Sequence, residues 1–226
     1  KRNATPLERA PPPLVVLAMA PGAILTSGWV EHADAAAVLF LGGAQSGHAW
    51  ADVLLGRTTP SGKLPLTLPL TEADTVPPCE DPGPCQYSEG LHVGWRALID
   101  RPVAFPFGFG LSFTTFSFEW VASPTLVVAR AAPRDGLGSN LADVRVAVTN
   151  SGGFLGRETV QLYLGYPEVA EEPPLVLRGF VQTRALAPGE TEVVAMSLSR
   201  RDLSIWSEAS SGWELVLGEF TVHVGS

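Results

Sequence analysis

Two kinds of hydrophobic pattern divide the chain. From Leu14 to about Gly56, short apolar runs alternate with longer segments of small residues, as in a layered α/β structure. LVVLAMA (14–20) and AVLFLGG (37–43) predict strands. Pro21-Gly22 breaks the chain after the first, and residues 23–32 have room for one or two helical turns. AQSGHAWADVLLG (44–56) predicts a helix ended by Gly56, with Ala44, Ala51, Val53, Leu54 and Leu55 making a broad buried face. Parallel strands need cover on both faces and neighbours at each edge, so this stretch does not finish a sheet, and more chain is expected before it.

Residues 60–112 are rich in turn formers and carry the aromatic run FPFGFGLSF (105–113), which predicts a loop segment draped over a neighbouring domain. After Phe116 the pattern turns to β. TFSFEW, TLVVAR, VRVAVTN, TVQLYLGY, LVLRGFVQT, TEVVAMSLS, WELVL and EFTVHVG, separated by Gly, Pro, Asn or Ser, predict a seven- or eight-stranded sandwich. Alternation points Val144, Val146 and Val148, and Val160, Leu162 and Leu164, at its core. Gly152-Gly153 and Pro188-Gly189 are expected to set hairpin turns.

Composition narrows the picture. With 226 residues, 46% of them hydrophobic and 17% charged, the chain has material for two well-buried domains. A net charge of −8 without any basic stripe argues against nucleic acid as a partner. The longest apolar run, Leu14 to Ala20, is far short of the roughly 20 residues of a membrane-spanning helix. Lys1 is not an initiator Met and no signal-peptide pattern follows, so the expectation is that either the start was removed or the chain is a piece of something longer.

Cys79 and Cys85 lie in the Pro/Gly-rich loop PPCEDPGPCQY, where a tight turn can bring them within disulfide distance; the alternative is two free thiols. Asn3-Ala4-Thr5 matches an N-glycosylation acceptor, and with the Cys pair favours a secreted, extracellular or lumenal location.

APGAILTSGW, AAVLFLGGAQSGHAWADVLLGRTTPSGKLPLTLP, YSEGLHVGWR and FPFGFGLSFTTFSFEW resemble, in order and spacing, the second half of the α/β sandwich domain of family 3 glycoside hydrolases. VRVAVTNSGGFLGRETVQLYLGYP, LRGFVQTRALAPGETEVVAMSLSRRDLSIW and WELVLGEFTVHVG resemble the fibronectin type III-like domain that commonly ends these enzymes. PSGKLP with YSEGLHVGWR is closer to the β-glucosidase branch than to the β-xylosidase branch.

The resemblance implies a partial α/β sandwich with flavodoxin-like layers over 1–112, then an immunoglobulin/fibronectin type III-like β-sandwich over 113–226. It implies a parent that hydrolyses terminal β-linked glucose with retention, using two carboxylates about 5–5.5 Å apart. In the family the nucleophilic Asp belongs to an N-terminal barrel, and the acid/base Glu usually precedes the segment matched by LVVLAMAPGAILTSGW. No position here matches either, so no catalytic residue is assigned and the isolated chain is expected to be inactive. The implied partners are that barrel, the N-terminal half of the α/β domain and, through the parent, a β-glucoside or oligosaccharide. A non-catalytic structural or interaction module derived from the family is the alternative.

The remaining chemistry-bearing residues read as structural. Glu31, Asp34, Asp52, Glu72, Asp74 and Glu89 have no evident carboxylate partner; Glu89 and Arg96 are expected to form an ion pair, and Asp52 to cap or pair locally. Trp29, Trp50 and Trp95 are expected in cores more than under sugar rings. His32, His48, His92 and His223 lack metal-ligand spacing, and no cofactor is expected. Gly42-Gly43 and Gly108 with Gly110 are turn glycines without phosphate-loop spacing. Phe105, Phe107, Phe109, Phe113, Phe116 and Phe118 are expected to form an aromatic seam between the two domains.

Overall fold

The computed structural model describes residues 11–79, 83–122, 126–128 and 136–226; the glycosylation motif at Asn3 lies outside them. Strands β1 (Val15–Met19) and β2 (Ala35–Leu39) form a two-stranded parallel sheet, Val15 opposite Ala35 through Met19 opposite Leu39. The Leu14 amide donates to Asp34 Oδ2 at 2.7 Å, which fixes the start of this ladder. The second strand ends earlier than its apolar run. Gly43, at φ +67°, turns the chain, and a Cβ on Gly42 would lie 2.7 Å from Leu39 Cδ2 and 2.6 Å from Ser46 Oγ. That close approach lets a 3-10 turn over 43–45 run straight into helix α1 (Ser46–Leu54).

The expected buried helix face is not buried. No residue of α1 is buried, and Leu54 and Leu55 are 51% and 65% exposed. A two-stranded sheet has little face to offer a helix. Leu14, Val15, Leu17 and Met19 are also exposed, so the α/β layer presents an open apolar face.

The second half is a sandwich. β3 (Phe116–Trp120), β5 (Asn140–Asn150) and β8 (Thr191–Ser199) form one antiparallel sheet in the order β3-β5-β8. The other, β4-β11-β6-β7, contains β4 (Leu126–Val128), β6 (Thr159–Gly165), β7 (Val176–Gln182) and β11 (Gly218–Gly225). Val144, Val146 and Val148 from one sheet meet Val160, Leu162 and Leu164 from the other, all buried, with Leu198, Leu203 and Phe220 completing the core. Each fully buried aliphatic side chain stabilises the fold by about 1.5–3 kcal/mol. Period-two alternation works here because each strand offers one face to the other sheet.

The two glycine turns do not make hairpins. Gly152-Gly153 leads from β5 to β6 and Pro188-Gly189 from β7 to β8, and in both cases the two strands belong to different sheets. These are crossings, and Asn150 holds them together. Fully buried, it donates through Nδ2 to the carbonyls of Phe154 and Leu186, both at 2.7 Å, and its Oδ1 accepts from Thr114 Oγ1 at 2.6 Å and the Gly152 amide at 3.1 Å. Gly189, at φ +79°, donates its amide to the Asn150 carbonyl. A further hairpin, β9 (Ser204–Ser207) with β10 (Gly212–Leu215), sits beside the sandwich. WELVL supplies most of β10, and its partner SIWS is a four-residue strand too short to carry a periodic pattern.

Cys79 and Cys85 are joined, with Cα atoms 5.7 Å apart. No helix among the described residues is long and apolar enough to cross a membrane.

Candidate functional site

The segment between the α/β layer and the sandwich folds back on itself and onto the sandwich. Residues 64–68 run against 105–109: the Leu64 amide donates to the Phe109 carbonyl, the Gly108 amide to the Leu64 carbonyl, and the Leu68 amide to the Phe105 carbonyl. Leu68 is 1% exposed, so this narrow ribbon has its own buried anchor. It satisfies backbone groups that a loop-rich segment would otherwise leave to water.

The ribbon is fastened to β6 by a buried ion pair. Lys63 Nζ lies 3.1 Å from Glu158 Oε1, with the two side chains only 10% and 7% exposed. Nζ also donates to the Gly110 carbonyl at 3.0 Å, and the Glu158 carboxylate accepts from the Thr159 amide at 2.7 Å. Each charge thus has a second partner, as a pair withdrawn from water requires. Around it, Thr59 Oγ1 donates to the Leu155 carbonyl, Thr159 Oγ1 to the Ser61 carbonyl, and Gln182 Nε2 to Ser61 Oγ.

Aromatic rings close the other side. Trp95 stacks on Phe107 with centroids 4.9 Å apart, and both meet Tyr163 of β6 edge-on, at 5.7 and 6.5 Å. Tyr163 donates its hydroxyl to Gln161 Oε1 at 2.5 Å, while Gln161 Nε2 donates to the Gly108 carbonyl at 3.3 Å. Gly108 sits at φ +82°, and a Cβ there would come within 2.6 Å of Gln161 Oε1; at Gly110 it would collide with the Gly62 carbonyl oxygen. The FGFG glycines are therefore points of close contact as well as turns.

Half-burial of Tyr163 pushes its hydroxyl up to about 12 from the usual 10, and burial also raises Tyr166. A raised folded-state value means that the unfolded chain loses its proton first as pH rises. Stability is then fully present below pH 10 and falls as pH climbs toward 12. Urea midpoints measured across that range are expected to decline, less steeply in Tyr163→Phe; an equal decline would show that Tyr163 does not carry its share.

The expected aromatic seam is narrower than its six phenylalanines. Phe105 packs on Phe109 within the ribbon, and only Phe107 reaches the sandwich rings. Phe116 and Phe118 join the sandwich core because β3 points them inward. Phe113 is 46% exposed, since its neighbour Thr114 takes the inward position to bond Asn150. Truncating Phe107 to Ala is expected to cost about 2 kcal/mol and to split melting into two transitions. A single unchanged transition would contradict the seam.

The acidic residues singled out in the sequence are dispersed. Asp34 anchors the start of the β1–β2 ladder, Asp52 pairs with Arg57 at 3.4 Å, Asp74 closes a capping box with Thr71, and Glu31 lies by His32 on the surface. Glu72 starts that 3-10 turn, and its carbonyl accepts from Thr75. Glu89 and Arg96 form no ion pair. Gly90 and Gly94, both at positive φ, turn the chain between them, and the Glu89 carbonyl instead accepts from the His92 amide. Trp29 donates Nε1 to the Leu25 carbonyl, and Trp50 is half-buried on α1. Among the described residues, no group of three or more His, Cys, Asp or Glu could hold a metal ion. The joint residues Glu158, Gln161 and Tyr163 were not singled out in the sequence, although GRETVQLYLGY places polar side chains at alternate positions of an otherwise apolar strand.

Residues 4–113 match the glycosyl hydrolase family 3 C-terminal domain, and residues 158–226 match the fibronectin type III-like domain. Among curated proteins, a probable beta-glucosidase D of Aspergillus niger is 34% identical over 225 residues, covering 94% of this chain and 30% of that protein. A beta-glucosidase of Pyricularia oryzae is 36% identical over 220 residues, covering 91% and 28%. Among solved structures, the beta-D-glucoside glucohydrolase from Trichoderma reesei superimposes with a TM-score of 0.83 at 34% identity, covering 93% of this chain and 31% of that one. Beta-glucosidase 3B from Thermotoga neapolitana does so at 0.75 and 32%, covering 94% and 29%. The chain carries the C-terminal domain of glycosyl hydrolase family 3 followed by a fibronectin type III-like domain. It spans about 30% of the length of the relatives it matches.

Proposed function

We propose that this chain is the supporting carboxyl-terminal part of a retaining β-glucosidase, which removes terminal β-linked glucose once a barrel and the first half of the α/β domain are joined to it. The observation that carries the reading is the pairing of an open apolar α/β face with a tightly locked ribbon and sandwich. One side is unfinished and the other is rigid. A scaffold for chemistry built elsewhere has those two properties: apolar strands and helix ready to be covered, and a fixed base behind them.

In such an assembly the nucleophile and acid/base come from the added part, at barrel strand ends and upstream in the α/β domain. This chain supplies the closing layer of the domain and holds its orientation through Lys63–Glu158 and Trp95–Phe107–Tyr163. We place the boundary between its two units at 112/113. The Cys79–Cys85 pair supports a secreted, extracellular or lumenal parent, and glycosylation at Asn3 belongs to the same proposal; an unchanged mass after glycosidase digestion of secreted protein would remove it.

Coexpression with a barrel-bearing N-terminal segment from a family β-glucosidase tests the assembly. The two pieces are expected to copurify and to hydrolyse an aryl β-glucoside. Failure to copurify, or copurification without turnover, would overturn the proposal.

A further inference from the structure

The β9–β10 hairpin carries two tryptophans directly opposite each other. Trp206 pairs with Trp213 in the ladder, their rings meeting edge-on at 5.8 Å. Trp206 remains 54% exposed, so one face of the pair is open to solvent. The Arg201 guanidinium lies over the Trp213 ring, 4.7 Å from its centroid. That guanidinium makes no ion pair among the described residues, so its N–H groups are not committed to a carboxylate. The hairpin is also held in shape: the Ser210 amide donates to Ser207 Oγ, the Ser211 amide donates to the Glu208 carbonyl, and β9 continues from a buried Leu203 and Ser204.

A flat indole at an edge, braced by a second indole and flanked by a cation with spare donors, fits a ligand with an apolar face and a rim of hydroxyls. A pyranose ring is such a ligand, its axial C–H groups laid on the indole and its equatorial hydroxyls turned to the guanidinium. The chain's charge of −8 disfavours an acidic ligand, and a neutral sugar carries no such penalty. We propose that Trp206, Trp213 and Arg201 form a carbohydrate-binding platform for β-linked glucose chains, separate from the joint at Lys63 and Tyr163. Its geometry is independent of the proposed function; only the choice of β-linked glucose rests on that reading. In the parent the platform would hold a chain near the enzyme without taking part in bond cleavage.

Affinity electrophoresis of the 226-residue chain through gels containing barley β-glucan or starch, with tryptophan fluorescence during cellohexaose titration, tests it. The expected result is retardation in β-glucan and not in starch. Trp206→Ala should weaken binding about three- to tenfold, as the loss of one aromatic contact implies. Arg201→Met, which leaves the hairpin ladder untouched, should weaken it too, and Trp206→Phe should retain part of it. Circular dichroism melting confirms that each variant is folded. No retardation of the wild type, equal retardation in both gels, or unchanged binding in folded Trp206→Ala and Arg201→Met would each overturn the platform. Binding is read without turnover, so a platform that binds while the coexpressed assembly fails to hydrolyse would sink the β-glucosidase reading alone. A hydrolysing assembly whose isolated chain ignores β-glucan would sink the platform alone.

Discussion

Replacing Glu158 by Ala is expected to cost about 3–5 kcal/mol, because it leaves the Lys63 ammonium withdrawn from water with only the Gly110 carbonyl for company. The Glu158 amide's bond to Thr183 Oγ1 survives the change, so the loss reports on the charge and not on the strand. Lys63→Met should cost less, since the orphaned carboxylate keeps the Thr159 amide. Lys63→Met with Glu158→Leu should be milder than Glu158→Ala alone, because no charge is then stranded. Urea denaturation of the variants measures this. A Glu158→Ala loss below about 1 kcal/mol, with additive costs in the cycle, would mean that the pair behaves like an exposed one.

Asn150→Ala is expected to cost about 2–4 kcal/mol, since its amide serves four backbone or hydroxyl partners at the point where both sheet crossings meet. The Leu186 carbonyl keeps a bond from the Gly156 amide, so the penalty falls mainly on Phe154, Thr114 and Gly152. Asn150→Asp gives a sharper test. At neutral pH a carboxylate would face the Phe154 and Leu186 carbonyls that Nδ2 now serves, and protonation would relieve the repulsion. Its folded-state pKa should therefore be raised, with stability relative to wild type recovering as pH falls into the carboxylate range. Loss that is the same at pH 4 and pH 7 would contradict this account of the hub.

The sequence was most informative where physics is local. TEVVAMSLS coincides with β8, and the two triplets of alternating Val and Leu occupy the core, because strand period and burial are decided over a few residues. It was also informative where motifs keep order, which is how the family could be recognised. The joint was harder. Ser61 meets Thr159, Lys63 meets Glu158, and Trp95 meets Tyr163, pairings that depend on how the ribbon lies across β6 and leave no periodic trace. Local reasoning failed where backbone direction decides the outcome: Gly90 and Gly94 separate Glu89 from Arg96, and Thr114 turns Phe113 outward. The buried face expected for α1 failed for another reason, since amphipathic pattern tells which side seeks cover but not whether cover is present.

The claim that ties these features together is that the chain supports chemistry whose carboxylates lie outside it. The most direct measurement is release of aryl alcohol from an aryl β-glucoside by the purified, folded 226-residue chain alone. The account predicts no release above the buffer blank. Turnover at enzyme-like rates, abolished by replacing any one of its own carboxylates, would contradict it.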